Sequence, residues 1–283
     1  MADGVSTFEQ FVRFGTDAYG LERLLRGLQS LTAIILFFPG LRHLLLFVSL
    51  SPATLAHLRK RLSALRQPFR LFRFLDSFSC AWSIFSSPLP SNTRPEVLGL
   101  VERWMDFGSK AFTSIYLLLE SLTFVDVAVD IPGLGLLGSQ EQVRAVVLDG
   151  QRFWFLGLVC GILCALAKLG KGEGRAGEKR NGDRRRRQKV WRRLAADVMD
   201  LAVPGSVVGW VPLSPGKVGL LMLGSTILTG MEVWERCGRE VAATKAGRLR
   251  LSRTASEEPG STCVESVDRL QLLDQLGDII RQG

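Results

Sequence analysis

The sequence predicts an all-α chain: a helical, membrane-associated protein with amphipathic helices and one or more hydrophobic hairpins or spans. Three observations carry this prediction. Apolar residues recur at three- and four-residue steps through much of the chain, the period of an amphipathic helix. A run of fifteen uncharged residues, Phe153–Ala167, sits between Arg152 and Lys168. Arginines lie among large apolar residues, most densely in LRKRLSALRQPFRLFRFLDSF, where six basic and nine large apolar side chains share twenty-one positions, 58–78.

Phe8, Phe11 and Val12, followed by Leu21, Leu24, Leu25, Leu28 and Leu31, place helix over the first thirty residues, with Arg23 and Arg26 between them. From Leu28 to Leu50 the chain is apolar, but Pro39-Gly40 and Arg42-His43 interrupt it, so two helices are expected there before the turn at Ser51-Pro52. In the helix at 58–78, Leu58, Leu62, Leu65, Phe69 and Phe72 share one face, with Arg59, Arg66, Arg70 and Arg73 in a stripe beside it. Pro68 lacks a backbone donor and crowds the preceding turn, so it should kink this helix. SSPLPSNTRPE at 86–96 reads as a loop and 96–129 as helix, its Lys110, Glu120 and Asp126 arguing against passage through lipid.

Residues 153–169 form a hydrophobic segment with Gly157 and Gly161 at a spacing that suits close helix packing. With both flanks it is about 25 Å of helix, slightly under the roughly 30 Å of a hydrocarbon core, and the flanking cations can snorkel. The competing reading is a buried helix of a soluble core. Residues 170–189 hold nine basic residues and five glycines and read as a disordered polybasic linker. Apolar residues 201–231 are split by PLSPG into a hairpin, giving a hydrophobic region at 190–235. The tail, 236–283, is expected to end in an amphipathic helix at about 264–281 carrying Val267, Leu270, Leu273, Leu276 and Ile280. The domain plan is therefore a helical region at 1–169, the linker, the hairpin region and the tail.

The net charge of +9 calls for an anionic partner. Five cysteines, two of them in the apolar run, give no disulfide framework or zinc spacing, and the N-terminal residues carry no secretory signal pattern. GLGLLG at 133–138 matches the dinucleotide fingerprint literally. However, Asp149 follows Gly138 by only eleven residues, too few for the required helix and strand, and Ser139 to Gln142 instead begins a helix as a capping box. His43 and His57 belong to apolar or amphipathic segments, and no catalytic constellation, metal set or cofactor site assembles. The chain reads as no enzyme. Arg184–Arg187 could mark a nucleic-acid patch, but no aromatics interleave with it, so lipid headgroups are the expected anion and nucleic acid is not an expected partner.

Three segments carry a resemblance: FVRFGTDAYGLERLLRGLQ, LRKRLSALRQPFRLFRFLDSF and DLAVPGSVVGWVPLSPGKVGLLMLGSTILTGMEVW. Together they resemble the peroxin-11 proteins of the peroxisomal membrane, in a divergent fungal-type form, over roughly residues 8–235. The resemblance implies a protein of that membrane which elongates it before peroxisome fission by inserting a basic amphipathic helix. It also implies self-association and recruitment of a fission adaptor and a dynamin-like GTPase. Carried onto this chain, Arg59, Lys60, Arg61, Arg66, Arg70 and Arg73 would meet headgroups, Leu62, Leu65, Phe69 and Phe72 would enter the acyl layer, and Pro68 would set the bend. An oligomeric channel for small metabolites is the alternative. The positive-inside rule puts 170–189 in the cytosol, so either 107–129 crosses together with 153–169 or the wedge and the linker lie on opposite sides.

Overall fold

The computed structural model describes residues 6–38, 40, 51–88, 97–124, 126, 137, 139–171 and 180–257. Among them are eight α-helices: α1 (Thr7–Thr16), α2 (Ala18–Phe37), α3 (Pro52–Arg66), α4 (Arg73–Ser86), α5 (Val97–Phe124), α6 (Gln140–Lys171), α7 (Arg180–Val208) and α8 (Pro215–Glu257). The GLGLLG stretch apart from Leu137, the two-helix reading of 41–50 and the amphipathic helix at 264–281 lie outside the described residues.

Local chemistry sets the boundaries. Asp17 separates α1 from α2 by accepting from the N–H groups of Tyr19 and Gly20 at 2.9 and 3.0 Å. Ser51 caps α3 through Thr54 N–H at 3.1 Å, and Pro52 occupies a first-turn position where no N–H is needed. Ser139 accepts from Gln142 N–H at 3.2 Å and starts α6, as the capping-box pattern predicts. Gly209, at φ +83°, ends α7, and the chain turns before Pro215, so the expected break within 201–231 is present.

The structure corrects two readings. Residues 58–78 are not one kinked helix: α3 stops at Arg66, Pro68–Arg70 form a 3-10 turn, and Phe72 takes a left-handed conformation (φ 62°) before α4 begins. Pro68 removes the donor the helix needs, and Phe72 completes a change of direction that proline alone would not produce. The run 170–189 is not a linker throughout, because α6 reaches Lys171 and α7 starts at Arg180. Its arginines are good helix formers, and α7 becomes anchored by Leu194, Ala196 and Ala202, all buried.

The chain forms two compact units. Of the described residues, the smaller comprises 6–14 and 234–257. In it, Gln10 Nε2 donates to the Trp234 carbonyl at 2.8 Å, Arg13 pairs with Glu240 at 3.0 Å, Lys245 pairs with Glu9, and Phe14 meets Trp234 edge-on at 5.7 Å. The larger comprises residues 15–233. Here α5 and α6 pack most extensively, with α7 on α6, α4 on α5 and α3 on α2. Phe112 stacks on Phe153, and Tyr116 stacks on Trp154 with centroids 5.2 Å apart. Gly150, Gly157 and Gly161 of α6 approach Leu119, Thr113 and Ser109 of α5 in that order, so the two helices run antiparallel.

Candidate functional site

Up to Leu31, helix α2 is turned inside out relative to a water-soluble helix, while Ala33, Ile34 and Ile35 beyond it are buried in the ordinary way. Glu22, Arg26 and Ser30 are buried, whereas Leu24, Leu28 and Leu31 are exposed. The same inversion holds on α8, where Ser225 and Thr226 are buried and Leu220, Ile227 and Met231 face outward. Charged groups almost never enter a water-soluble core unless paired, and the buried charges of α2, Glu22 and Arg26, both have partners. Arg26 donates to both carboxylate oxygens of Asp200 on α7, and Ser225 donates to the same carboxylate. Arg66 meets Glu22 and Gln29, and Arg70 meets Glu120 at 3.0 Å and the Tyr116 hydroxyl at 2.9 Å. Burial alone would raise the Glu22 carboxyl, but Arg23, Arg66 and Arg70 outweigh it and hold that group below the usual carboxylate range.

These pairings redistribute the basic residues of 58–78. Arg66 and Arg70 are ion-paired within the protein, and Arg73 lies 4.3 Å over the Tyr19 ring. Lys60 and Arg61 are exposed, and Arg59 is half-buried. Of the apolar residues expected in the acyl layer, Leu62 is buried, Phe69 is half-buried, and Leu65 and Phe72 are exposed. Pro68 is exposed at the turn.

The clearest exposed apolar face lies further along. On α4, Leu75, Phe78, Trp82 and Phe85 recur at helical spacing and are 55–60% exposed, and Phe72 leads into them at 67%. The opposite side of α4 is fixed to the protein. Ala81 is buried, Ser114 donates to the Phe74 carbonyl at 2.9 Å, and Arg103 donates to the terminal carbonyls of Ile84 and Ser87, where a cation is favoured. Trp82, Phe85, Phe107 and Trp104 form a chain of ring contacts from α4 to α5, each about 6 Å between centroids. The three- and four-residue spacing past Phe78 was available in the sequence as the signal for this stripe.

Helix α6 is the one helix among the described residues long and apolar enough to cross a membrane: an 18-residue window within Gln140–Gly170 has mean hydropathy 2.0, with only 22% of that window buried within the protein. Low burial distinguishes it from the core helix of a soluble domain. Its glycines meet neighbouring helices of the same chain. A Cβ on Gly157 would come within 3.0 Å of Thr113 Oγ1, and one on Gly161 within 3.2 Å of Ser109 Oγ.

The family model of Peroxisomal biogenesis factor 11 (PEX11) matches residues 8–234. No curated protein and no solved structure matches the chain.

Proposed function

Since this chain belongs to the PEX11 family of peroxisomal biogenesis factors, associated with the peroxisomal membrane, we propose that it remodels that membrane by seating the exposed face of α4 in one leaflet. The stripe Phe72, Leu75, Phe78, Trp82 and Phe85 carries this reading. Completing the burial of five half-exposed large side chains is worth on the order of 5 kcal/mol, enough for reversible partition into an interface. Tryptophan is suited to that depth because its ring is apolar and its N–H can remain hydrated. The outward leucines of α2 and the apolar length of α6 support an embedded body against which α4 is braced.

A wedge seated in one leaflet expands that leaflet alone and bends the bilayer, which suits the elongation that precedes fission. Self-association would concentrate such wedges. A fission adaptor and a dynamin-like GTPase are the partners proposed for the elongated membrane, in keeping with the family resemblance.

The test reconstitutes the full chain into phosphatidylcholine–phosphatidylserine vesicles and follows their shape by electron microscopy. The wild type should draw tubules, and the double variant Phe78→Ser, Trp82→Ser should incorporate equally but leave vesicles round. Tubulation by the double variant at the wild-type level would sink the proposal.

A further inference from the structure

The larger unit contains a cavity of about 370 Å³ between α2, α3, α5, α6, α7 and α8, within the size range of small-molecule sites. Ser63, Val207 and Pro215, at its mouth, are exposed, so the space is reachable from outside the fold. Its walls differ in chemistry. One carries Arg26, Arg59, Arg66 and Arg70; another is the stacked pair Tyr116 and Trp154; Ala33, Val218 and Met222 supply apolar surface.

Charge accounting identifies what this cavity lacks. Asp200 answers Arg26, Glu22 answers Arg66, and Glu120 answers Arg70. Among the described residues no carboxylate answers Arg59, which leaves one uncompensated cation on the wall. Hydrogen bonding is incomplete as well. Arg26 is 4% exposed, yet its Nε has no acceptor. Glu120 Oε2 and Gln151 Oε1 are buried acceptors with no donor. Native folds leave few such groups, because each costs about 1–3 kcal/mol. The wall therefore offers guanidinium groups to an anion and, at Glu120 and Gln151, acceptors to hydroxyl donors.

The geometry points to a binding site for a phosphorylated polyol, its phosphate against Arg59 and Arg26 and its hydroxyls directed at Glu120 and Gln151. Guanidinium groups suit phosphate because their planar array of donors matches its oxygens. The same chemistry is presented by a free sugar or inositol phosphate and by an inositol phospholipid headgroup. The site is independent of the α4 stripe, whose residues do not line it.

Purified full-length protein in uncharged detergent would be titrated calorimetrically with inositol 1-phosphate, with unphosphorylated inositol as control. In a second arm, protein extracted from phosphatidylcholine–phosphatidylinositol mixtures would be weighed by native mass spectrometry. Saturable binding in the first arm identifies a soluble ligand, and retained phosphatidylinositol in the second identifies a headgroup. In whichever arm binds, Arg59→Gln should weaken binding at least tenfold, while Arg144→Gln, on an exposed position of α6 that does not line the cavity, should not. Ser63→Asp places a negative charge at the mouth and should weaken binding by a similar factor, which keeps the test valid if Arg59→Gln unfolds. Binding in neither arm, or binding unchanged in both Arg59→Gln and Ser63→Asp, overturns the assignment.

Discussion

Arg66 donates to Glu22 Oε1 from both Nε and Nη2, at 3.2 and 2.7 Å, joining residues 44 positions apart. The carboxylate side chain is 3% exposed and the guanidinium 11%, so neither can turn to water when the other is removed. Glu22→Gln should lower unfolding stability in detergent by about 3–5 kcal/mol, and Arg66→Gln by a similar amount. The double variant should lose less than the sum of the two, and strict additivity in a thermal or denaturant titration would show that the pair is not coupled.

Acid should act through the same carboxyl. Its value in the folded protein lies below the ordinary one, so its contribution is fully present above about pH 4.5 and is lost as pH falls toward the folded value. Between pH 7 and 5 this group should add no slope to melting temperature. Below pH 4.5 the wild type should lose stability more steeply than Glu22→Gln, as differential scanning fluorimetry across that range would reveal.

Phe72 holds a left-handed backbone that costs an L-residue about 1–2 kcal/mol. Phe72→Gly should therefore raise unfolding stability by about 1 kcal/mol while weakening vesicle deformation through loss of an exposed ring. A fall in stability would indicate that the ring contributes more to folding than its exposure suggests.

Two glycines on α6 should respond oppositely to an added side chain. At Gly157 a Cβ would lie 3.0 Å from Thr113 Oγ1 and 3.3 Å from Thr113 N, so Gly157→Val should cost about 1–3 kcal/mol as α5 is pushed away. At Gly150 the nearest atoms are 3.7 Å away, and Gly150→Ala should gain about 0.5–1 kcal/mol from reduced backbone freedom. Paired melting curves distinguish the two.

The helices were legible because periodicity, caps and breakers are local. Ser139 with Gln142, PLSPG and Pro68 all mark real boundaries. The direction of each face was not legible. The spacing of Leu24, Leu28 and Leu31 defines a stripe but does not say whether protein or lipid covers it, and here it faces outward. The arginines of 58–78 misled for a related reason. Their acids, Glu22 and Glu120, lie on other helices, and no local pattern ties a cation to an acid that only folding brings near. An acid within an apolar stretch was the available hint, since burial obliges it to find a cation.

With Arg66, Arg70 and Arg73 engaged inside the protein, α3 and the turn after it retain few cations for the lipid surface. Lys60 and Arg61, both exposed, offer about 1 kcal/mol each at an anionic leaflet, less together than the aromatic stripe gains from hydrocarbon. If α4 is seated as proposed, its grip would depend on gaps between loosely packed acyl chains more than on headgroup charge. Such gaps multiply as a membrane narrows, so each tubule would recruit further copies to the curvature it already has.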